Sequence, residues 1–213
     1  MRLLYTKDPK IKGNIKDLIE QPVIIRVGNI DEKTALEFSK LMTDAYNTGQ
    51  DVIPIVIDSF GGSVYSLFSM LSDIESSRLP IATICIGKAM SAGSVLLAHG
   101  SPGMRFMDPN STVMIHEISS GIWWDKLTEL KVNVEEADRL NQIVFMKMAL
   151  ACGHKKKEYF LNLISQNKNA DWYMDCFEAK KHKMIDQIGV PEFQITLESR
   201  IDFVFNKPKI ETF

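Results

Sequence analysis

Short apolar runs alternate with helix-like patterns through the first half of the chain. The apolar runs cover residues 23–27, 52–58 and 81–86, and each precedes a segment with apolar residues at three- and four-residue spacing, at 31–45, 63–76 and 91–99. A strand followed by a helix of this length is typical of a crossover unit, which joins parallel strands of one sheet. The pattern therefore predicts an α/β fold with helices on both faces of a mostly parallel sheet.

The second half of the chain contains a much longer helical pattern. It runs from about Asp125 to Cys152 and ends at Gly153, a typical residue just after a helix. About 28 residues would extend for about 42 Å at 1.5 Å per residue, which is longer than the domain that carries them. We expect such a helix to project and to bury its apolar side against a partner. Short strands are predicted at 104–107 and 112–115, and from Lys155 onward two further helices and a final strand.

Composition narrows the class of protein. The chain has 213 residues, 45% of them hydrophobic and 24% charged, which is typical of one globular domain. A net charge of −2 gives no basic field for nucleic acid. The cysteines at 85, 152 and 176 form neither a disulfide framework nor a metal motif, and this fits a reducing compartment. Because no apolar run reaches the roughly 18 residues of a membrane span, we expect a cytoplasmic protein with no membrane or nucleic-acid partner.

Ser91 lies in a segment that could carry nucleophilic chemistry. The segment Gly87–Ser94 joins a predicted buried strand to an apolar helix, and small residues flank the serine. A serine on such a strand-to-helix turn has the arrangement of a nucleophile elbow, and the free N–H groups at the start of the helix could bind an oxyanion. The segment alone favours the simpler interpretation that Ser91 is an ordinary helix cap.

Other candidate groups follow neighbouring predicted strands. The paired glycines Gly61 and Gly62 could turn backbone N–H groups toward a carbonyl oxygen, or could simply form a tight turn. His116 ends a strand and is a candidate base, whereas His99 is predicted to be structural. His154 and His182 stand beside lysines and are predicted to be exposed. Asp171 could cap a helix or hold a histidine.

The joint order of these segments resembles the Clp protease proteolytic-subunit family of serine peptidases. The segment 86–97 around Ser91 is similar to the family's nucleophile segment, and 105–116 is similar to its histidine segment, the most specific match. Residues 171–174, with Glu178-Ala179 and Ile185-Asp186 following, look like the segment that carries its aspartate. Residues 57–62 resemble its oxyanion turn. The resemblance extends from about Val23 to Ile188.

This resemblance implies a ClpP/crotonase-like fold with mostly parallel sheets, covering helices and a projecting handle helix. It implies one peptidase domain over residues 1–213, with a head at about 20–120 and 155–213 and a handle at about 124–152. Ser91 would be the nucleophile, His116 the base, Asp171 its orienting carboxylate, and the N–H groups of Gly62 and Ala92 the oxyanion hole. No metal or organic cofactor is needed for this chemistry.

The resemblance further implies how the protein assembles. Stacked rings, heptameric and together a tetradecamer, would enclose the active sites, and an AAA+ unfoldase would deliver unfolded protein. The chain departs from the family at Phe60, where proline is usual, at Lys183, where glycine is usual, and before Val23, where no axial-loop segment is seen. Trp123 and Trp124 replace a more polar stretch and are expected in a subunit interface.

Three alternatives remain open from the sequence. The chain could be a catalytically silent ring subunit that supports an active paralogue. It could be a hydrolase of the signal-peptide-peptidase kind, in which Lys88 rather than His116 activates Ser91. It could also use the same fold on an acyl-CoA thioester, as crotonases do, although these enzymes do not need a Ser/His/Asp set.

Overall fold

The computed structural model describes residues 3–6, 21–119, 126–166 and 171–196. These residues belong to two compact units. One unit, from Gln21 to Pro191, carries every candidate site residue. In the other, β1 (Leu3–Thr6) and β9 (Phe193–Thr196) form a parallel pair. The single domain over 1–213, with its head and handle, stays a prediction.

The unit from Gln21 to Pro191 is an α/β structure, as predicted. Its strands and helices in chain order are β2 (Ile25–Val27), α1 (Glu32–Asn47), β3 (Ile53–Ser59), α2 (Val64–Ser76), β4 (Ile81–Met90), α3 (Ala92–Ala98), β5 (Arg105–Met107), β6 (Thr112–Ile115), α4 (Leu127–Ala151), α5 (Tyr159–Gln166), β7 (Trp172–Met174), α6 (Cys176–Lys181) and β8 (Gln187–Ile188). Seven strands form one sheet with the path β2-β3-β4-β5-β8, to which β6 and β7 are attached. All pairs are parallel except β6 with β7. The predicted fold class is therefore confirmed.

Local sequence explains where these elements begin and why they pack. Asp31 accepts a hydrogen bond from the Thr34 N–H and caps α1, as expected for an aspartate at this position. Strand β3 is almost entirely buried because helices lie on both faces of the sheet, so its apolar run needs no alternation. No helix in the described part of the chain is both long enough and apolar enough to cross a membrane.

Strand β4 changes its partner halfway along, and this positions the candidate site. Its first half pairs with β5 at residues 83–85, and its second half pairs with β6 at residues 88–90. Gly87 separates the halves with a φ of 87°, which an L side chain rarely adopts. The same region is a bulge relative to β3, because Ile57 faces Cys85 whereas Ser59 faces Ala89. β4 therefore runs on to Met90 rather than ending at residue 86 as predicted.

Helix α4 is the long helix that the sequence predicted. Its second half packs into the core through Leu140, Val144, Phe145, Met148 and Ala149. Its first half instead presents apolar side chains to solvent, and Leu130, Val132 and Val134 are 40%, 63% and 58% exposed. Leu130 and Val134 are one helical turn apart and share one face of α4, whereas Val132 lies on the opposite side. An exposed apolar face of this kind is typical of a surface that another chain covers.

A buried ion pair fixes the segment after α6 to the sheet, and it makes stability depend on pH. The Arg105 guanidinium donates to both carboxylate oxygens of Asp186, at 2.8 and 2.6 Å, and its side chain is only 6% exposed. Burial alone would raise the pKa of Asp186, but the hydrogen bonds and charge of Arg105 outweigh it, so the pKa is lowered.

We expect Asp186→Asn to lower the free energy of unfolding by about 2–3 kcal/mol, somewhat less than the loss of a fully buried pair. A depressed folded-state pKa contributes stability above the unfolded-state pKa, so the difference from wild type should shrink as the pH falls below about 4. Urea titrations at pH 7 and pH 3.5 measure this. The matched control is Glu136→Gln, which breaks the exposed pair with Arg139 and should cost no more than about 1 kcal/mol. Equal losses in both variants would contradict the prediction.

Candidate active site

Ser91 occupies a strained turn between β4 and α3. Its φ of 52° and ψ of −124° lie in a region that non-glycine residues rarely adopt, at a cost of about 1–3 kcal/mol. The turn is fixed because the Ser91 N–H donates to the Met114 carbonyl, and the Ser94 hydroxyl donates to the Ser91 carbonyl. Ser91 stands at the N-cap position of α3, yet its side chain makes no capping hydrogen bond. The interpretation of Ser91 as an ordinary cap is therefore wrong.

The glycine turn after β3 lies directly against Ser91. A Cβ atom added to Gly61 would lie 2.7 Å from the Ser91 Cβ and 3.0 Å from the Ala92 nitrogen. A Cβ atom on Gly62 would lie 2.0 Å from the Ile30 carbonyl oxygen. Both glycines also have positive φ, 101° and 148°. The turn therefore needs glycine at both positions to approach the serine this closely.

Two backbone N–H groups near Ser91, those of Gly62 and Ala92, have no hydrogen-bond partner among the residues that the structure describes. The Ile30 N–H donates to Gly61 and the Ser63 N–H donates to Ile30, so these peptide groups face β2. The Gly61 carbonyl and the Gly62 N–H belong to one trans peptide group and point in opposite directions. Since the carbonyl faces Ile30, the Gly62 N–H points away from Ile30, and within the described residues it donates no hydrogen bond. The Ala92 N–H is the first of α3 and has no acceptor inside the helix. Free N–H groups beside a nucleophile are what an oxyanion hole requires.

His116 shares a narrow apolar cleft with Ser91. The cleft has a volume of about 30 Å³ and lies between α2, α3, α4 and the end of β6. Besides Ser91, Ala92, Ser94 and His116, it is lined by Val64, Leu67, Val95, Ile115, Ile118, Val144, Phe145 and Met148. Within the described part of the chain, no hydrogen bond joins the Ser91 hydroxyl to the His116 ring. The two side chains therefore border one cleft without being bonded.

Asp171 lies on the strand next to His116. Strands β6 and β7 pair in antiparallel fashion, and their last pair is Ile115 with Trp172. Continuing this register by one residue puts His116 opposite Asp171, and opposite residues of an antiparallel pair point to the same face. Asp171 is exposed, and its carboxylate makes no hydrogen bond or ion pair within the described residues. The backbone thus brings the two residues to one place, while their side chains remain unjoined.

The prediction that His154 and His182 are exposed is wrong. His182 is only 7% exposed and its Nδ1 lies 2.8 Å from the Tyr159 hydroxyl. His154 is half-buried and stacks on the Tyr159 ring at 3.6 Å between centroids. Burial, followed by the charge of Lys181, lowers the pKa of His182. His99 is structural as predicted, since its Nδ1 lies 2.7 Å from the Val95 carbonyl oxygen. The prediction rested on the lysines next to both histidines in the sequence. The lysines face solvent, whereas the histidine rings point inward.

Lys88 makes its described contacts with residues other than Ser91, and no hydrogen bond joins the two within the described residues. Its Nζ lies 2.6 Å from an Asp58 carboxylate oxygen and 4.2 Å from the centre of the Phe60 ring. This arrangement speaks against the alternative in which Lys88 activates the serine, because the ammonium group is held by other partners. The sequence analysis missed these contacts, and the signal that could have found them is the pairing of opposite charges on adjacent strands.

Comparison with known protein families identifies the family to which the chain belongs. The sequence profile of the Clp protease family matches residues 7–192, so the chain belongs to the Clp protease family. The predicted family resemblance is confirmed, and with it the kinship to serine-type proteases.

Among individual relatives, the chain is similar to a protein of Rhodococcus jostii (strain RHA1) named ATP-dependent Clp protease proteolytic subunit 1. The two are 29% identical over 173 residues, which cover 80% of this chain and 76% of the relative. The tryptophans at 123 and 124 and the departure before Val23 lie at least partly outside the described residues, so the interface expected for the tryptophans stays a prediction.

Proposed function

We propose that the protein is a serine endopeptidase that cleaves peptides or unfolded proteins by acyl transfer, with Ser91 as nucleophile. One observation carries the proposal: Ser91 is held in a strained turn, and the nearby N–H groups of Gly62 and Ala92 make no hydrogen bond within the described part of the chain. Backbone strain at a single residue lowers the stability of the fold, and it is found most often at residues of active sites. Membership of the Clp protease family supports the same reaction.

In the proposed mechanism, the Ser91 oxygen bonds to the peptide carbonyl carbon while His116 accepts the hydroxyl proton. The carbonyl oxygen becomes an oxyanion and accepts hydrogen bonds from the Gly62 and Ala92 N–H groups. The C–N bond then breaks, and the leaving amine takes the proton from His116. Water hydrolyses the acyl-enzyme by the same steps. Asp171 would hold the His116 ring in the productive orientation and stabilise its positive charge.

The proposal requires His116 to move into hydrogen-bonding distance of both partners. The register of β6 and β7 supports this, because it already sets His116 and Asp171 opposite each other. Catalytic hydrogen bonds are often long before substrate binds and tighten in the complex. We propose that ring assembly or substrate binding completes the triad, since Ser91 and His116 already border one cleft.

A homo-oligomer of stacked heptameric rings is part of the same proposal. The exposed side chains of Leu130 and Val134, which share one face of α4, support it, because burying them against a second subunit would be favourable. The cleft has an apolar lining that would favour an apolar substrate side chain next to the cleaved bond, but at about 30 Å³ it would have to widen to admit one. The name of the Rhodococcus relative includes ATP dependence, which supports an AAA+ unfoldase as the partner that delivers substrate.

Two measurements on the purified, assembled protein test the proposal. A fluorophosphonate should label the protein on Ser91, as located by mass spectrometry of the peptides. The homo-oligomer alone should hydrolyse a fluorogenic peptide with an apolar residue before the cleaved bond. An assembled protein that neither labels at Ser91 nor hydrolyses peptides would contradict the proposal.

A catalytically silent ring subunit is the second candidate. The observation that favours it is the missing hydrogen bond between Ser91 and His116 in the described chain. Such a subunit would assemble into rings, would fail to hydrolyse peptides alone, and would gain a role only in mixed rings with an active paralogue. Hydrolysis by the homo-oligomer therefore distinguishes the two candidates.

Gly62→Ala should remove one oxyanion donor. Its new Cβ would lie 2.0 Å from the Ile30 carbonyl oxygen, so the turn must shift and carry the N–H group away from Ser91. We expect peptide hydrolysis to fall about 10²–10³-fold in kcat, as for loss of one donor. Gly28→Ala is the matched control, because a Cβ there meets nothing within 4 Å. A folded, assembled Gly62→Ala protein with wild-type kcat would contradict the role of Gly62.

A further inference from the structure

Asp58, Phe60 and Lys88 contact one another at the start of the Gly61–Gly62 turn. We call this three-residue contact the Lys88 clamp. We infer that this clamp holds the Gly61–Gly62 turn against Ser91, so that Lys88 and Phe60 are positioning residues for the oxyanion hole. The catalytic part of this inference rests on the proposed function. The structural part, that the clamp orders the turn, stands independently of it.

The β-bulge between β3 and β4 creates the clamp. Between the pairs Ile57–Cys85 and Ser59–Ala89, one residue of β3, Asp58, faces three residues of β4. The extra length brings Lys88 alongside Asp58, and their ion pair measures 2.6 Å. Gly87 makes room for the carboxylate, since a Cβ there would lie 3.0 Å from the Asp58 Oδ1. The bulge therefore converts a regular ladder into a specific contact between the two strands.

Phe60 connects the ion pair to the glycine turn. Its ring lies under the Lys88 ammonium at 4.2 Å, a distance typical of a cation–π contact. The ring is otherwise 68% exposed, so the apolar core does not hold it in place. Phe60 directly precedes Gly61, whose backbone lies against Ser91 and Ala92. Contact with Phe60 therefore attaches the start of the turn to Lys88 on β4. Lys88 precedes the nucleophile Ser91 by three residues.

The clamp acts on the side of the turn that its hydrogen bonds leave without an anchor. On its β2 side it is anchored by the Ile30 and Ser63 hydrogen bonds, and the Gly61 N–H donates to the buried Ser59 hydroxyl. On its other side, the Gly62 N–H makes no hydrogen bond within the described residues, and both glycines lack side chains. The clamp joins the side chain of Phe60, which flanks the turn, to β4, the strand that leads into Ser91. Its Asp58 carboxylate also keeps the Lys88 charge directed over the ring rather than into solvent.

Hydrogen exchange of the assembled protein tests the structural part. Lys88→Met keeps the aliphatic length and removes the charge, and Phe60→Leu keeps apolar volume and removes the ring. Each should raise amide exchange in a peptide covering 59–63 by about three- to ten-fold, the range expected for losing one such contact. Lys88→Arg and Phe60→Tyr keep a cation and a ring and should stay near wild type. The double variant should exchange no faster than either single variant, because both break one unit.

Lys147→Met is the matched control. Lys147 forms an ion pair of the same 2.6 Å length with Glu75 and is similarly exposed, but it contacts no aromatic ring and lies away from the turn. It should leave exchange at 59–63 unchanged. High salt should speed exchange there in wild type and leave Lys88→Met nearly unaffected, since salt screens exposed charges. Unchanged exchange in both clamp variants, or an equal change in Lys147→Met, would overturn the inference.

The rate of fluorophosphonate labelling tests the catalytic part. Lys88→Met and Phe60→Leu should label Ser91 about three- to ten-fold more slowly and lower kcat rather than raise KM, because the oxyanion hole acts on the transition state. If wild type does not label while exchange follows the clamp, the proposed function fails and the clamp stands. If wild type labels and both clamp variants label at the same rate as wild type, the clamp fails as a positioning device and the proposed function stands.

Discussion

Ser91→Ala should abolish peptide hydrolysis by the assembled protein. Removing the nucleophile of a triad costs about 10⁶-fold in kcat in a serine protease, because no covalent intermediate can form. The substitution would raise stability only if it relieved the backbone strain at residue 91. It does not, because alanine has the same unfavourable energy at positive φ as serine. We therefore expect an unchanged melting temperature with undetectable activity, measured by a fluorogenic peptide assay and differential scanning calorimetry.

Ser69→Ala is the matched control for this experiment. Ser69 is exposed on α2, so its loss should leave both activity and assembly unchanged. Residual hydrolysis by Ser91→Ala within about ten-fold of wild type would assign the activity to another residue or to a contaminant.

His116→Ala should lower hydrolysis roughly 10³-fold or more, because the Ser91 proton would have no acceptor. The alternative with Lys88 as base makes the opposite prediction, namely that His116→Ala retains activity and Lys88→Met loses it. The contacts of Lys88 with Asp58 and Phe60 favour the histidine. Comparing kcat of the two variants in assembled protein measures which group accepts the proton.

The size of the loss in kcat distinguishes the role of Lys88 from that of His116. Lys88→Met should lose only about three- to ten-fold, because we assign it a positioning role through the turn. If Lys88→Met lost more activity than His116→Ala, the triad mechanism would be contradicted and the Ser/Lys mechanism supported.

The sequence predicted the elements well where local pattern decides them. The alternation of apolar runs and helical spacing predicted β3, α1 and α2 nearly at their observed bounds. Ser91 was found because a serine among small residues between strand and helix is a local signal. Its use as a cap could not be excluded, because backbone strain at one residue has no sequence signature.

What the sequence could not predict depends on contacts between distant segments. The antiparallel pairing that sets His116 opposite Asp171 joins strands more than 50 residues apart. The bulge that brings Asp58 to Lys88 depends on two strands being in a particular register. The inward orientation of His182 depends on Tyr159, which lies on a different helix. In each case local neighbours carry no information about the partner.

A structure of the assembled, fluorophosphonate-treated protein tests the central claim most directly. We predict a phosphonyl group on the Ser91 oxygen, with its free oxygen about 2.7–3.1 Å from the Gly62 and Ala92 nitrogens and the His116 ring hydrogen-bonded to Asp171. A phosphonyl group on another residue, or a Ser91 adduct whose oxygen points away from both amides with His116 and Asp171 apart, would contradict the account.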